Sequence, residues 1–134
     1  METNEKIFEK NISLLKEARL QMLKLHKLLI DIEREKYERA NGQITSGQFL
    51  NLLLNDNNFE WLRKFSSLIV EIDEMLDLDD GFTEEMLEKH FSQMRDLLNF
   101  RSLDPEFNEK YKNILETNSE VAGKHEELVN LLAD

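Results

Sequence analysis

Three histidines, His26, His90 and His125, are the side chains in this sequence best suited to proton transfer or metal ligation near neutral pH. Their spacing supports neither metal pattern common in helical proteins. A carboxylate-bridged di-iron centre needs Glu-x-x-His on two helices, so that both side chains aim inward from one turn. The residues three places before these histidines are Leu23, Leu87 and Ala122. No two histidines stand close enough for a helical zinc pair. The chain has no Cys, which excludes disulfides, thiolate metal sites and a Cys nucleophile. It also lacks a Gly-rich phosphate loop and a G-x-S-x-G turn.

The most organised polar group lies toward the end of the first helical segment. His26 and Glu33 are seven residues apart and share a helix face. Asp31, Arg34 and Glu38 stand at pairing offsets of three and four, and Glu33 can reach Tyr37. With His125 supplied from across the core, His26, Glu33 and Tyr37 form a candidate acid–base set for a small enzyme or ligand-binding bundle. The competing structural reading is a salt-bridge-laced helix end, the usual meaning of such charge runs, and it is the one favoured. His125 and Asn118 interrupt an apolar seam and read as a polar pair that fixes register or oligomer state. His90 lies beside an apolar stripe as a boundary residue.

Asp77 to Glu88 invites comparison with the calcium loop of paired-helix calcium proteins. Asp77, Asp79 and Glu88 fall at positions one, three and twelve. Gly81, however, falls at position five, where a ligand belongs, and Phe82 takes the place of the turn glycine. A helix end, a Gly turn and a Thr cap account for every residue instead. No metal and no cofactor are expected.

Helices must position these groups. Phe8, Leu15, Met22 and Leu29 recur every seven residues, with Ile12, Ala18, Leu25 and Ile32 between them. This predicts an amphipathic helix from about Asn4 to Ala40. Leu14, Leu20, Leu23, Leu28 and Ile30 widen the stripe, so its middle should touch more than one neighbour. Asn41-Gly42 ends it. Thr45-Ser46 caps a short helix, about Gly47 to Leu54, which Asn55-Asp56-Asn57-Asn58 interrupts. A further helix from about Asn58 to Leu76 carries Trp61, Phe65, Leu68, Ile72 and Met75. Thr83 caps the next, with Phe82 and Leu87 as a hydrophobic staple and Leu87, Phe91, Met94 and Leu98 on its face. Asp104-Pro105 starts the last, where Phe107, Tyr111, Ile114, Asn118, Val121, His125, Leu128 and Leu132 keep 4-3 spacing. That spacing predicts one unbroken helix to the end.

The expected fold is therefore all-α, a single domain over residues 1–134, built as an antiparallel four-helix bundle whose second long segment is broken in two. A reversal near Gln43 would set Trp61 against Leu25 and His26, unless the Asn55–Asn58 break re-aims the third helix. A reversal near Leu103 would set Phe91 against Leu115 and Leu98 against Phe107.

Composition narrows function. The formal net charge is −11, from 17 Lys and Arg against 28 Asp and Glu. Such a surface repels phosphate backbones and anionic membranes, and no basic cluster offsets it, so neither nucleic acid nor membrane is an expected partner. No apolar run approaches the ~20 residues that span a bilayer. The charged start, Met1 to Lys6, has no signal-peptide core. The expected location is the cytoplasm.

The run His26-Lys27, Asp31, Glu33-Arg34, Tyr37-Glu38 and Gly42, continuing through Phe59, Trp61-Leu62-Arg63 and Glu71-Ile72-Asp73-Glu74, resembles a group of small uncharacterised bacterial helical proteins. The likeness covers roughly residues 22 to 77. It implies a bacterial, cytoplasmic, helical protein and promotes no residue to a catalytic role.

The leading functional expectation is a non-enzymatic helical module that binds protein, itself included. An unbroken last helix would outrun its neighbour and leave Leu128, Val129, Leu131 and Leu132 uncovered; the alternative, a break near Asn118 or Gly123 that folds the end back, runs against the unbroken 4-3 spacing. Two-fold dimerisation would then cover them.

Overall fold

The computed structural model describes residues 3–133; Met1, Glu2 and Asp134 of the expected domain lie outside them. The described residues form six α-helices: α1 (Asn4–Asn41), α2 (Ser46–Asn55), α3 (Arg63–Leu76), α4 (Glu84–Leu98), α5 (Pro105–Thr117) and α6 (Ser119–Leu132). A short 3-10 segment, Asn57–Leu62, leads into α3. None of these helices is long and apolar enough to cross a membrane.

Capping follows local chemistry. The hydroxyls of Thr3, Thr45 and Thr83 accept from backbone N–H groups three residues on. Thr45 and Gln48 complete a capping box. Gly42, at φ 88°, ends α1 with its N–H on the Glu38 carbonyl, and Gly81, at φ 79°, turns the chain before α4. Both φ values lie where an L side chain is strained. Phe100, at φ 60°, is the one non-glycine residue with positive φ among the described residues. It occupies the left-handed position that closes α4, with the Arg101 N–H bonded back to the Asp96 carbonyl at 2.8 Å. Its ring repays that strain by packing on Tyr111 and His125.

The stripe expected on α1 is the one that is buried: Leu15, Ala18, Met22, Leu25 and Leu29. The helix packs against α3, α4 and α6, α3 packs on α4, and α4 packs on α6. Bidentate Arg19–Asp73 hydrogen bonds and the His26–Phe65 contact show that α3 runs antiparallel to α1. Phe8 beside Phe82 brings the start of α4 to the first turns of α1. Arg95 bonded to the Leu132 carbonyl, with Phe100 on His125, sets α6 antiparallel to α4.

Four expectations need correction. The helix after Pro105 is broken. Asn118 is extended (φ −134°, ψ 110°), and its side chain accepts from the Val121 N–H while its own N–H donates to the Ile114 carbonyl. An Asn here satisfies both helix ends better than it continues either. The overhang therefore does not form: α6 folds back on α5, α1 and α4, and Leu128 and Leu132 are buried within the chain. Second, α4 packs on α3, α1 and α6, with α5 seated against α6 and the 3-10 segment, so the Phe91–Leu115 and Leu98–Phe107 pairings do not describe the packing. Third, Trp61 lies in the 3-10 segment rather than in α3: that segment packs on α1, with the Leu62 backbone hydrogen-bonded to His26, while Phe65 meets the His26 ring and the Trp61 ring packs on Phe107. The return is no simple hairpin, because α2 stands between the two helices. Fourth, the segment expected as helix from Asn58 starts as 3-10, its turn set by Asp56, whose side chain accepts from the Asn58 N–H.

Candidate functional site

The polar end of α1 is a fastening. Arg34 donates to the Ile44 carbonyl (2.9 Å), Glu38 accepts from the Ile44 N–H (3.0 Å), and the two side chains pair at 3.5 Å. The Arg34 guanidinium also lies 5.3 Å over the Phe49 ring. Together they hold the Gly42–Thr45 connection and the buried face of α2 against α1. Asp31 pairs with Lys27, Glu35 with Arg39 and Glu33 with Lys36. Arg63 acts in the same way at the other end of α2, donating to the Leu53 and Asp56 carbonyls.

The candidate acid–base residues are not brought together. Glu33 engages Lys36 rather than Tyr37, and the Tyr37 ring packs on Phe59. From His26 to Glu33 is about 10 Å of helix, far beyond one proton transfer. His125 lies across the core from His26, with Phe65 and Tyr111 between them. Its Nδ1 is 2.7 Å from the Tyr111 hydroxyl. Burial pushes the Tyr111 phenol well above its ordinary range. Burial lowers His125, opposed by the Glu126 carboxylate, and lowers His26, opposed by a hydrogen bond with the Leu62 backbone. Both imidazoles are thus held neutral beside an aromatic cluster of Phe65, Phe100, Phe107 and Tyr111. Tyr111 and His125 share this hydrogen bond, its direction set by the imidazole tautomer. His90 is buried, 3.1 Å from Gln93 through Nδ1.

A groove of about 510 Å³ runs between α3 and α4 and ends at the α4–α5 loop. Lys64, Glu71, Asp96 and Arg101 line it over Leu68 and Leu97, and Leu103 stands fully exposed at its rim. None of His26, Glu33, Tyr37 and His125 reaches it. No group of three or more His, Asp or Glu among the described residues is placed to hold a metal ion.

One surface feature escaped the sequence reading. From Ala40 to Asn55 sixteen consecutive residues carry no charge, whereas the next longest stretches without Asp, Glu, Lys, Arg or His are six. The α2 helix lies wholly inside this run. It turns Phe49 inward and leaves Gly47, Leu50, Asn51, Leu54 and Asn55 outward. Leu50 and Leu54 are 55% and 61% exposed, one turn apart. A scan for the longest gap between charges would have found this segment. A search for titratable side chains passes over it.

Comparison of the chain with protein-family models, with curated proteins and with solved structures returns no match.

Proposed function

We propose that this chain is a non-enzymatic helical module that acts by binding protein, itself included, through the outward face of α2. The observation that carries this reading is the uncharged sixteen-residue run, with two leucines exposed one turn apart, in a chain that is 34% charged. Interface cores are depleted of charged residues, because each buried charge must be desolvated. A helix that offers apolar anchors at i and i+4 without that cost is built to be covered. Scattered exposed leucines are ordinary on any surface; a pair on a charge-free helix is not.

The frame that presents α2 is read as an antiparallel four-helix bundle of α1, α3, α4 and α6, with α5 and the 3-10 segment closing one end. Arg34, Glu38 and Arg63 fix α2 to that frame. The cell compartment that best suits an acidic protein of this kind is the cytoplasm.

A photo-crosslinking residue placed at Asn51 tests the reading in living cells. Discrete protein adducts are expected there, and fewer from the same residue at Glu9, an exposed position on α1. Equal labelling from both positions, or none from Asn51, would overturn it.

A further inference from the structure

We infer that the occupant of the outward α2 face is a second copy of this chain, docked about a two-fold axis that sets the two α2 helices antiparallel. The inference rests on the reading of α2 as a docking surface and goes beyond it by naming the partner.

The face is complementary to itself. In an antiparallel pair, Leu50 of one copy meets Leu54 of the other, and the axis passes between them, so one pair of residues closes both halves of the contact. Asn51 and Asn55 flank the leucines. Asn55 donates to the Asn51 Oδ1 within the helix, and the side-chain Asn51 N–H and Asn55 carbonyl groups leave a donor and an acceptor for the second copy, which identical charges would not. Gly47 lies on the same face, where the atom nearest the place a Cβ would occupy is the Thr45 Oγ1, at 4.0 Å. The antiparallel arrangement also sets each helix N-terminus beside the other's C-terminus, opposing their dipoles favourably.

Charge points to the same partner. Each copy carries a formal −11, so two copies repel wherever their charged surfaces face each other. The uncharged run is where copy meets copy without confronting like charges. A basic partner would instead be drawn to the carboxylate-bearing helices and gain nothing from a neutral face. The two cases have opposite salt dependence. Added salt screens the repulsion between two acidic copies and strengthens their association, while it weakens attraction to a basic partner.

Area sets the strength. A ten-residue helix is about 15 Å long. One face of it buries on the order of 300–400 Å² per copy, against roughly 800 Å² per partner in a standard interface. The dimer is therefore reversible, populated at high rather than low micromolar concentration.

Sedimentation velocity of the full chain, from 10 to 500 µM in 50 mM and in 500 mM NaCl, tests this. The weight-average mass should rise from 15.9 kDa toward twice that value as concentration rises, and further at the higher salt. Leu54→Glu should remain monomeric throughout. Leu50→Asn, which adds no charge, should shift the association at least several-fold to higher concentration. Leu103→Glu, exposed elsewhere, should behave as the parent does. Circular dichroism checks that each variant keeps its helices. A parent that stays monomeric at 500 µM in both salts overturns the second copy as occupant and leaves α2 open to a different protein. A dimer that survives Leu54→Glu places the contact elsewhere and overturns the second copy as the occupant of α2, again leaving that face open to a different protein. A dimer that weakens with added salt overturns the charge argument and, with it, the assignment to a neutral face.

Discussion

At the scale of single residues, the closest pairing of chemistry-bearing side chains in the core is that of Tyr111 with His125. The Tyr111 hydroxyl and His125 Nδ1, 2.7 Å apart, satisfy each other inside an aromatic cluster. Tyr111→Phe keeps the ring and removes the hydroxyl, leaving Nδ1 without its partner. The expected cost is about 1–2 kcal/mol in urea unfolding, with the helix content unchanged. Protonation gives a second test. His26 and His125 are both held below the ordinary imidazole value by burial, so the unfolded chain binds protons that the folded chain does not. Stability should then be fullest above pH ~6.5 and fall as the pH drops toward 5.5, a window that lies above the ordinary carboxylate range. The urea midpoint should be lower at pH 5.5 than at pH 7.5, and His125→Gln should reduce that difference. An unchanged midpoint across the window would show that neither imidazole is buried as described.

At the scale of elements, the helix starts were legible because caps are local chemistry. Thr45, Thr83 and Asp104 each accept a backbone N–H within three residues. Asn118 shows where that legibility ends. Its seam spacing matches a continuous helix, yet its side chain caps α6. Apolar periodicity reports which residues are buried, and Val121 and Leu128 are buried either way. It does not report whether two turns belong to one axis. Asn118→Ala removes the cap and should cost about 1 kcal/mol, read as a lower urea midpoint; an unchanged or raised midpoint would mean that the cap contributes nothing. The pairings of α4 with α5 were illegible for a related reason. They assumed that consecutive helices are neighbours, while the break at Asn118 redirects the chain. The polar cluster from His26 to Glu38 was visible as a cluster, and the preferred structural reading matches the contacts of Arg34 and Glu38 with Ile44. Those contacts join residues to a loop whose path only the fold supplies. The α2 face had the opposite problem: it is marked by an absence of charge.

At the scale of the whole molecule, one aromatic cluster ties together elements that are distant in sequence. Phe65 of α3 is fully buried and touches His26 of α1 and both Phe107 and Tyr111 of α5. Tyr111 carries the contact on to His125 of α6 and to Phe100 of the α4–α5 loop. Elements that share so many buried partners should unfold together. Trp61, the single tryptophan, is 2% exposed beside Phe107 and reports on this cluster. Its fluorescence and the far-UV circular dichroism should therefore trace the same urea transition. Phe65→Ala should lower both midpoints together, by the roughly 3–5 kcal/mol that truncating a core phenylalanine costs. Leu54→Glu, on the exposed face of α2, should move stability by no more than about 0.5 kcal/mol at low protein concentration. The self-repulsion of a chain at −11 adds a third expectation: 0.5 M NaCl should raise the midpoint of the monomer relative to 0.05 M. If the fluorescence transition precedes the loss of ellipticity, the cluster around Trp61 opens before the helices of the frame do, and the molecule is two cooperative units rather than one.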